Sequence, residues 1–304
     1  MDASTSLCSS CFFQALIGDD NMPSYAFVDG QYVPRHLAAL PLEDRATNFG
    51  DGIYEVWVVA QSKLVDEEKH FARLERSLGE LKIPMPMGQK AIAQHVRRLI
   101  RRNNIKFGTV YLQISRGASK RDHVPAANIT PSITIFTNNK PGLAEARRAP
   151  KKLKIITGPD LRWARRDIKS TSLLPNVMLR MEAHQQGCHE AWMVDDQGMV
   201  TEGTSSSSWI VTLEKTVVTR ALSNDILPGV TRDTVCELIA RAGYEFEERG
   251  FSVEEAKHAA EAFVTSATNF VGPVVEIDGT TIGNGQIGEV TNKLRDLYLR
   301  AAGL

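Results

Sequence analysis

The hydrophobic repeat of this chain changes period, and that change limits the possible folds more than any other feature. Residues 53–60 (IYEVWVVA) form a β-rich run, and Lys63-Leu64-Val65 returns after Gln61-Ser62. From Asp66 onward Phe71, Leu74, Leu78 and Leu81 recur every three or four residues, the spacing of one helix face. A second helix is predicted over residues 89–102, with Ile92, Val96, Leu99 and Ile100 inward. Its Arg97, Arg98, Arg101 and Arg102 alternate with those core positions, so they read as a solvated face rather than a nucleic-acid patch. Strands are expected at 109–115 and 132–137, and residues 25–33 read as a β-hairpin turning at Asp29-Gly30. Strands and helices interleave without a long run of either, which excludes all-α and all-β folds and points to α+β.

Residues 138–150 (NNKPGLAEARRAP) are polar, contain two prolines and read as an interdomain linker. Beyond them lie a strand at 153–156, a helix at 175–186 ended by Gly187, and a hairpin of 190–195 and 199–201 around Gln197-Gly198. Helices are predicted at 231–242 and 288–301. The expected organisation is a disordered leader (1–22), a small α/β domain (23–137), the linker (138–150) and a large domain (151–304).

At 304 residues the chain can bury two cores. Lys+Arg and Asp+Glu balance at 36 each, so charge gives no reason to expect a nucleic-acid or membrane partner. No apolar run is long enough to span a bilayer. The short apolar patch at residues 11–17 has no Lys or Arg before it, a poor secretory signal. A cytoplasmic protein is expected. Cys8 and Cys11 form a C-x-x-C, but with Cys188 and Cys236 they make no second pair at zinc-ribbon spacing. They read as incidental thiols, and no metal site is expected.

The chemistry concentrates in a few motifs: Asp167-Ile168-Lys169-Ser170, Thr201-Glu202-Gly203-Thr204-Ser205-Ser206, Phe49-Gly50-Asp51-Gly52-Ile53-Tyr54-Glu55, His70-Phe71-Ala72-Arg73-Leu74, Arg121-Asp122-His123, Leu227-Pro228-Gly229-Val230-Thr231-Arg232 and Phe263-Val264-Thr265-Ser266. In this order they resemble the fold-type IV aminotransferases, two-domain α+β enzymes that use pyridoxal 5′-phosphate. Within them the resemblance is closest to the D-amino-acid (D-alanine) transaminases, and it covers nearly everything from Tyr25 to Leu297.

The resemblance implies that Lys169 holds the cofactor covalently and, once freed, moves the proton at the substrate Cα. It implies that Glu202 pairs with the pyridine nitrogen. The cofactor phosphate is assigned to Arg73, to Val230 and Thr231 at a helix start, and to the turn Ser266-Ala267. A helix start suits an anion because its first N–H groups lack partners and its dipole favours negative charge. Ala267 stands where the family commonly has Thr, and Ser207 where it usually has Asn. Tyr54, Arg121 and His123 are expected to bind the substrate α-carboxylate. Arginine suits that task because its fork grips a carboxylate by two hydrogen bonds. Trp57, Val58 and residues 118–124 are expected to shape the side-chain pocket. In the family the Arg121–His123 loop reaches the neighbouring subunit's site, which implies a homodimer acting on amino acids and keto acids. Branched-chain L-aminotransferase, (R)-amine transaminase, aminodeoxychorismate lyase and a non-catalytic relative remain as alternatives on the same fold.

Overall fold

The computed structural model describes residues 24–304; the leader and its C-x-x-C lie outside them. The first sheet is built from β1 (Tyr25–Val28), β2 (Gln31–Pro34), β3 (Gly52–Ala60), β4 (Lys63–Leu64), β5 (Phe107–Ser115) and β6 (Ser132–Asn139). Its order is β2-β1-β6-β5-β3-β4, and every pairing is antiparallel. The β1–β2 turn sits at Asp29 (φ 44°) and Gly30 (φ 92°), the positive-φ pair a two-residue hairpin requires. A short helix α1 (Arg45–Phe49) precedes β3, and α2 (Glu67–Glu80) and α3 (Gln89–Arg102) follow β4 and precede β5. Both long helices lay their apolar stripes on one face of the sheet. Trp57, Phe71, Leu74, Leu78, Ile92, Val96, Leu99, Leu112 and Ile135 form this core. Truncating one such leucine to alanine costs about 2–5 kcal/mol. The four arginines of α3 face outward, and Arg97 pairs with Glu67 at 2.7 Å.

The stretch expected as a linker is more ordered than its composition suggests. β6 runs into it, and α4 (Leu143–Arg148) occupies its middle, with Leu143 buried in the second core. Its order comes from tertiary contact: Arg295 donates to Ala146 O and also to Asn269 O (3.0 Å) and Val271 O (2.6 Å).

The second sheet follows from β7 (Leu153–Pro159), with α5 (Leu174–Gln185), β8 (Glu190–Val194), β9 (Val200–Gly203), β10 (Ser207–Val211), β11 (Val217–Thr219), α6 (Val230–Ala242), β12 (Phe246–Glu248), α7 (Val253–Lys257), β13 (Glu261–Ser266), β14 (Phe270–Ile277), β15 (Thr280–Thr281) and α8 (Glu289–Ala301). Its order is β12-β11-β10-β13-β14-β7-β8-β9, with β15 on β14. The sheet is mixed, with parallel pairings at β11–β12, β14–β7 and β7–β8. α6 and α8 cover one face around Trp209, Phe263 and Tyr298, while α7 and α5 pack into separate clusters with Phe251 and with Met193. Strands β10 and β11 are buried at every residue. A strand covered on both faces reads as a continuous apolar run without alternation, which is why these strands escape a periodicity analysis.

The two sheets meet along one edge of β3. β4 pairs only with Val59 and Ala60, so the start of β3 keeps an open backbone edge. The segment carrying Lys169 fills it: Tyr54 N–H donates to Lys169 O (3.0 Å) and Thr171 N–H to Gly52 O (3.0 Å). Among the described residues no helix is long and apolar enough to cross a membrane.

Candidate active site

A cleft of about 240 Å³ opens where those elements converge. Tyr54, Arg73, Lys169, Glu202, Val230, Thr231, Ser266 and Ala267 all line it, so eight of the ten residues singled out from the sequence come together. Arg121 and His123 do not; both are exposed on the loop after β5. Strand alternation sends Tyr54 and Val56 into the cleft. Trp57 turns the other way into the first core and Val58 packs in the second, so neither shapes the cleft wall as expected.

Lys169 is held by its backbone, not its side chain. Ile168 is anchored in the first core, and the carbonyl of Lys169 is bonded to β3. The amine is thereby left to reach inward, where Nζ stands 4.2 Å from the Tyr54 ring centre.

Glu202 lines the cleft from β9 and is 5 % exposed. Leu227 N–H donates to its Oε2 at 3.1 Å, and Arg162 Nη1 donates to its Oε1. Burial raises the Glu202 carboxyl above its ordinary value, against the opposing pull of the Arg162 guanidinium. Arg162 is itself held by Asp160, through Nε (2.9 Å) and Nη2 (2.7 Å), and Asp160 also accepts from Thr201 Oγ1 (2.7 Å). The sequence reading missed Arg162. Its signal is the cluster Arg162, Arg165 and Arg166 just before Lys169, a density of cations that a solvated loop does not need.

Arg73 reaches the cleft with its charge already paired. Nε and Nη2 both donate to Glu55 at 2.8 Å, and Nη1 donates to Pro228 O at 3.1 Å. His70 Nδ1 lies 2.7 Å from the same carboxylate. Burial would raise the Glu55 carboxyl, but the Arg73 guanidinium and His70 hold it far below the ordinary range. Through Pro228, this triad steadies the turn that opens α6.

The cleft fits an anionic, planar cofactor. Gly229 gives α6 no side-chain cap, so its first N–H groups face the cleft beside the Thr231 and Ser266 hydroxyls. Gly229 also has little room for a side chain, since a Cβ there would stand 2.9 Å from Ser207 Oγ. Also in the lining, the buried Asn176 Oδ1 has no hydrogen-bond partner among the described residues. Anion donors at the start of α6 and the buried Glu202 carboxyl, both in the cleft lining, match a phosphate and a ring nitrogen.

A family profile described as amino-transferase class IV matches residues 52–277. The chain belongs to this family. It is a pyridoxal-phosphate-dependent aminotransferase of fold type IV. Among similar proteins, a D-alanine aminotransferase of Bacillus licheniformis is 35 % identical over 267 residues, covering 88 % of this chain and 93 % of the relative. A D-alanine aminotransferase of Listeria monocytogenes serotype 4b (strain F2365) is 32 % identical over 280 residues, covering 90 % and 94 %. Among solved structures, a branched-chain amino acid aminotransferase from Escherichia coli superposes with a TM-score of 0.83 at 21 % identity, covering 92 % of this chain and 95 % of that one. A hypothetical aminotransferase from Mycobacterium tuberculosis, in a PLP-bound form, gives 0.78 at 21 %, covering 92 % and 99 %. At such identities these structures speak for the fold alone.

Proposed function

We propose that this aminotransferase acts on D-amino acids, passing the amino group of D-alanine or a similar D-amino acid to 2-oxoglutarate in a ping-pong cycle, as a cytoplasmic homodimer. The observation that carries the reading is the 35 % identity to a D-alanine aminotransferase across 88 % of the chain. The placement of Arg121 and His123 supports it: exposed and outside their own chain's cleft, they are available to a second copy.

Pyridoxal phosphate, when bound, supplies an electron-accepting ring that makes the α-hydrogen of an attached amino acid acidic. The chain's residues do the rest. The N–H groups of Val230 and Thr231, with the hydroxyls of Thr231 and Ser266, would hold the phosphate, and Ala267 lies beside Ser266 in the cleft lining. Arg73 steadies that turn through Pro228 and lends its electrostatic field. Glu202 would face the ring nitrogen and favour its protonated form. Lys169 would take and return the proton at the substrate Cα. Tyr54, beside the lysine, closes the cleft on the substrate side. Arg121 and His123 of a second copy grip the α-carboxylate. With the carboxylate held where the D-alanine-type resemblance places it, the D-isomer would be the one that turns its α-hydrogen to Lys169.

The test is a donor panel with 2-oxoglutarate as acceptor: D-alanine, D-glutamate, L-alanine, L-leucine and (R)-1-phenylethylamine. D-Alanine and D-glutamate are expected to lead. Faster turnover of L-leucine or of the amine would overturn the reading.

A further inference from the structure

The loop carrying Arg121 and His123 is a long connection between β5 and β6 with no regular structure of its own. Loops of this kind do not hold two side chains in register unless something fastens their backbone. Among the described residues, the hydrogen bonds that tie residues 120–124 to the rest of the chain both come from Arg45. Its Nη1 donates to Asp122 O at 2.6 Å and its Nη2 to His123 O at 3.1 Å. Arg45 is 4 % exposed, so the donor side of these partly buried bonds is held within the protein. Its Nε donates to Asp51 Oδ2 at 2.8 Å, and Asp51 is shared with Arg116 through Nε (2.8 Å) and Nη2 (2.9 Å). Its guanidinium lies 4.6 Å from the centre of the Phe49 ring, and the Arg121 guanidinium lies 5.2 Å from the same ring. The His123 ring centre is 5.7 Å from that of Phe49.

One arginine therefore touches the backbone at both ends of the Asp122–His123 step and shares an aromatic ring with both expected carboxylate ligands. We propose that Arg45 is a positioning residue for carboxylate recognition, setting the loop so that Arg121 and His123 meet the substrate at a fixed spacing. The inference rests on the reading that those two residues bind the α-carboxylate. The geometry also names what is required at position 45. Two successive carbonyls and one carboxylate accept three separate donors in one plane, which a guanidinium offers and an ammonium does not. The same Asp51 lies in the Gly50-Asp51-Gly52 turn, where Gly50 adopts φ 67° and Thr171 Oγ1 donates to Gly50 O at 3.1 Å. The loop is thus referenced to the turn that also bears on the lysine segment.

The experiment compares Arg45→Lys, Arg121→Ala and the double variant as cofactor-loaded enzymes. Readouts are kcat and KM for D-alanine, Ki for propionate as a bare carboxylate, and visible cofactor absorbance per subunit. Arg45→Lys is expected to raise KM and Ki together by about tenfold, the factor that ~1.4 kcal/mol of lost hydrogen bonding gives. Its kcat should stay within about threefold and its cofactor absorbance should be unchanged. In the double variant, the rise in KM should be smaller than the product of the two single rises, because one of the two positioned residues is already gone. The proposal is overturned if Arg45→Lys leaves KM and Ki unchanged, if kcat falls with them in proportion, or if the two substitutions multiply. Should Arg121→Ala itself leave KM and Ki unchanged, the carboxylate reading falls first, and the role of Arg45 falls with it.

Discussion

Lys169 and Glu202 lie in a cleft whose walls come from one chain, whereas Arg121 and His123 stand on an exposed loop that Arg45 fastens. The two regions are stabilised differently. Around the cleft, the buried acids have their partners within the same chain: Glu55 with Arg73, Glu202 with Arg162, Asp160 with Arg162. On the loop, the backbone is secured but the two ligand side chains are left facing solvent. The cofactor region can therefore be organised by folding of a single chain, while under the proposed reading substrate selection depends on what the loop meets.

Substitutions on either side can break that contrast. Lys169→Ala carries the largest effect. Loss of the proton-transferring amine is expected to lower turnover by at least about a thousandfold, read as the initial rate with D-alanine, while cofactor is still retained through the phosphate end. Near-normal turnover would end the assignment of chemistry to the cleft. Glu55→Gln comes next and is read in stability, because it leaves the buried Arg73 without its counter-charge. A loss of about 3–5 kcal/mol is expected in denaturant unfolding at pH 7. The sign with pH follows from the depressed Glu55 carboxyl. Its contribution is fully present above the ordinary value of 4.5 and is lost as pH falls toward the lower folded value. The difference between wild type and variant should hold from pH 7 to pH 5 and shrink only in stronger acid.

Arg121→Ala is milder. A charged hydrogen bond of about 1.5–3 kcal/mol corresponds to roughly ten- to a hundredfold in kcat/KM, expected for D-alanine and D-glutamate alike. If the loop serves a second copy, as proposed, the active species should sediment as a dimer or a multiple of one, and an active monomer would erase the contrast between the regions. Glu202→Gln has the smallest effect, a slowing of about tenfold as one charged partner becomes a neutral one of ~1–1.5 kcal/mol less. Leu227 N–H still has an acceptor in that variant and Arg162 keeps Asp160, so the loss of stability should be smaller than for Glu55→Gln.

The first sheet and its helices were legible because they are half-exposed. The α2 stripe through Phe71, Leu74 and Leu78 and the Asp29-Gly30 turn each give a local signal, and the observed bounds fall within a residue or two. The interior of the second sheet was not, since Ser207–Val211 and Phe270–Ile277 are buried on both faces and carry no period. The helix Leu143–Arg148 was hidden for another reason: it is ordered by Arg295, more than a hundred residues away in sequence. In the site, Lys169 and Glu202 were visible as motif residues. Arg162 and Arg45 were not, because an arginine's role depends on which buried acceptors it meets, and those acceptors come from distant segments.

The central claim is that Lys169 takes the α-hydrogen of a D-amino acid whose carboxylate is fixed opposite it. It is tested most directly by a single half-reaction. Cofactor-loaded enzyme, at known site concentration and without any keto-acid acceptor, is mixed with D-alanine or with L-alanine, and pyruvate is counted. The account predicts one pyruvate per site from D-alanine, no further pyruvate until 2-oxoglutarate is added, and none from L-alanine on the same timescale. Stoichiometric pyruvate from L-alanine, or none from D-alanine, would contradict it.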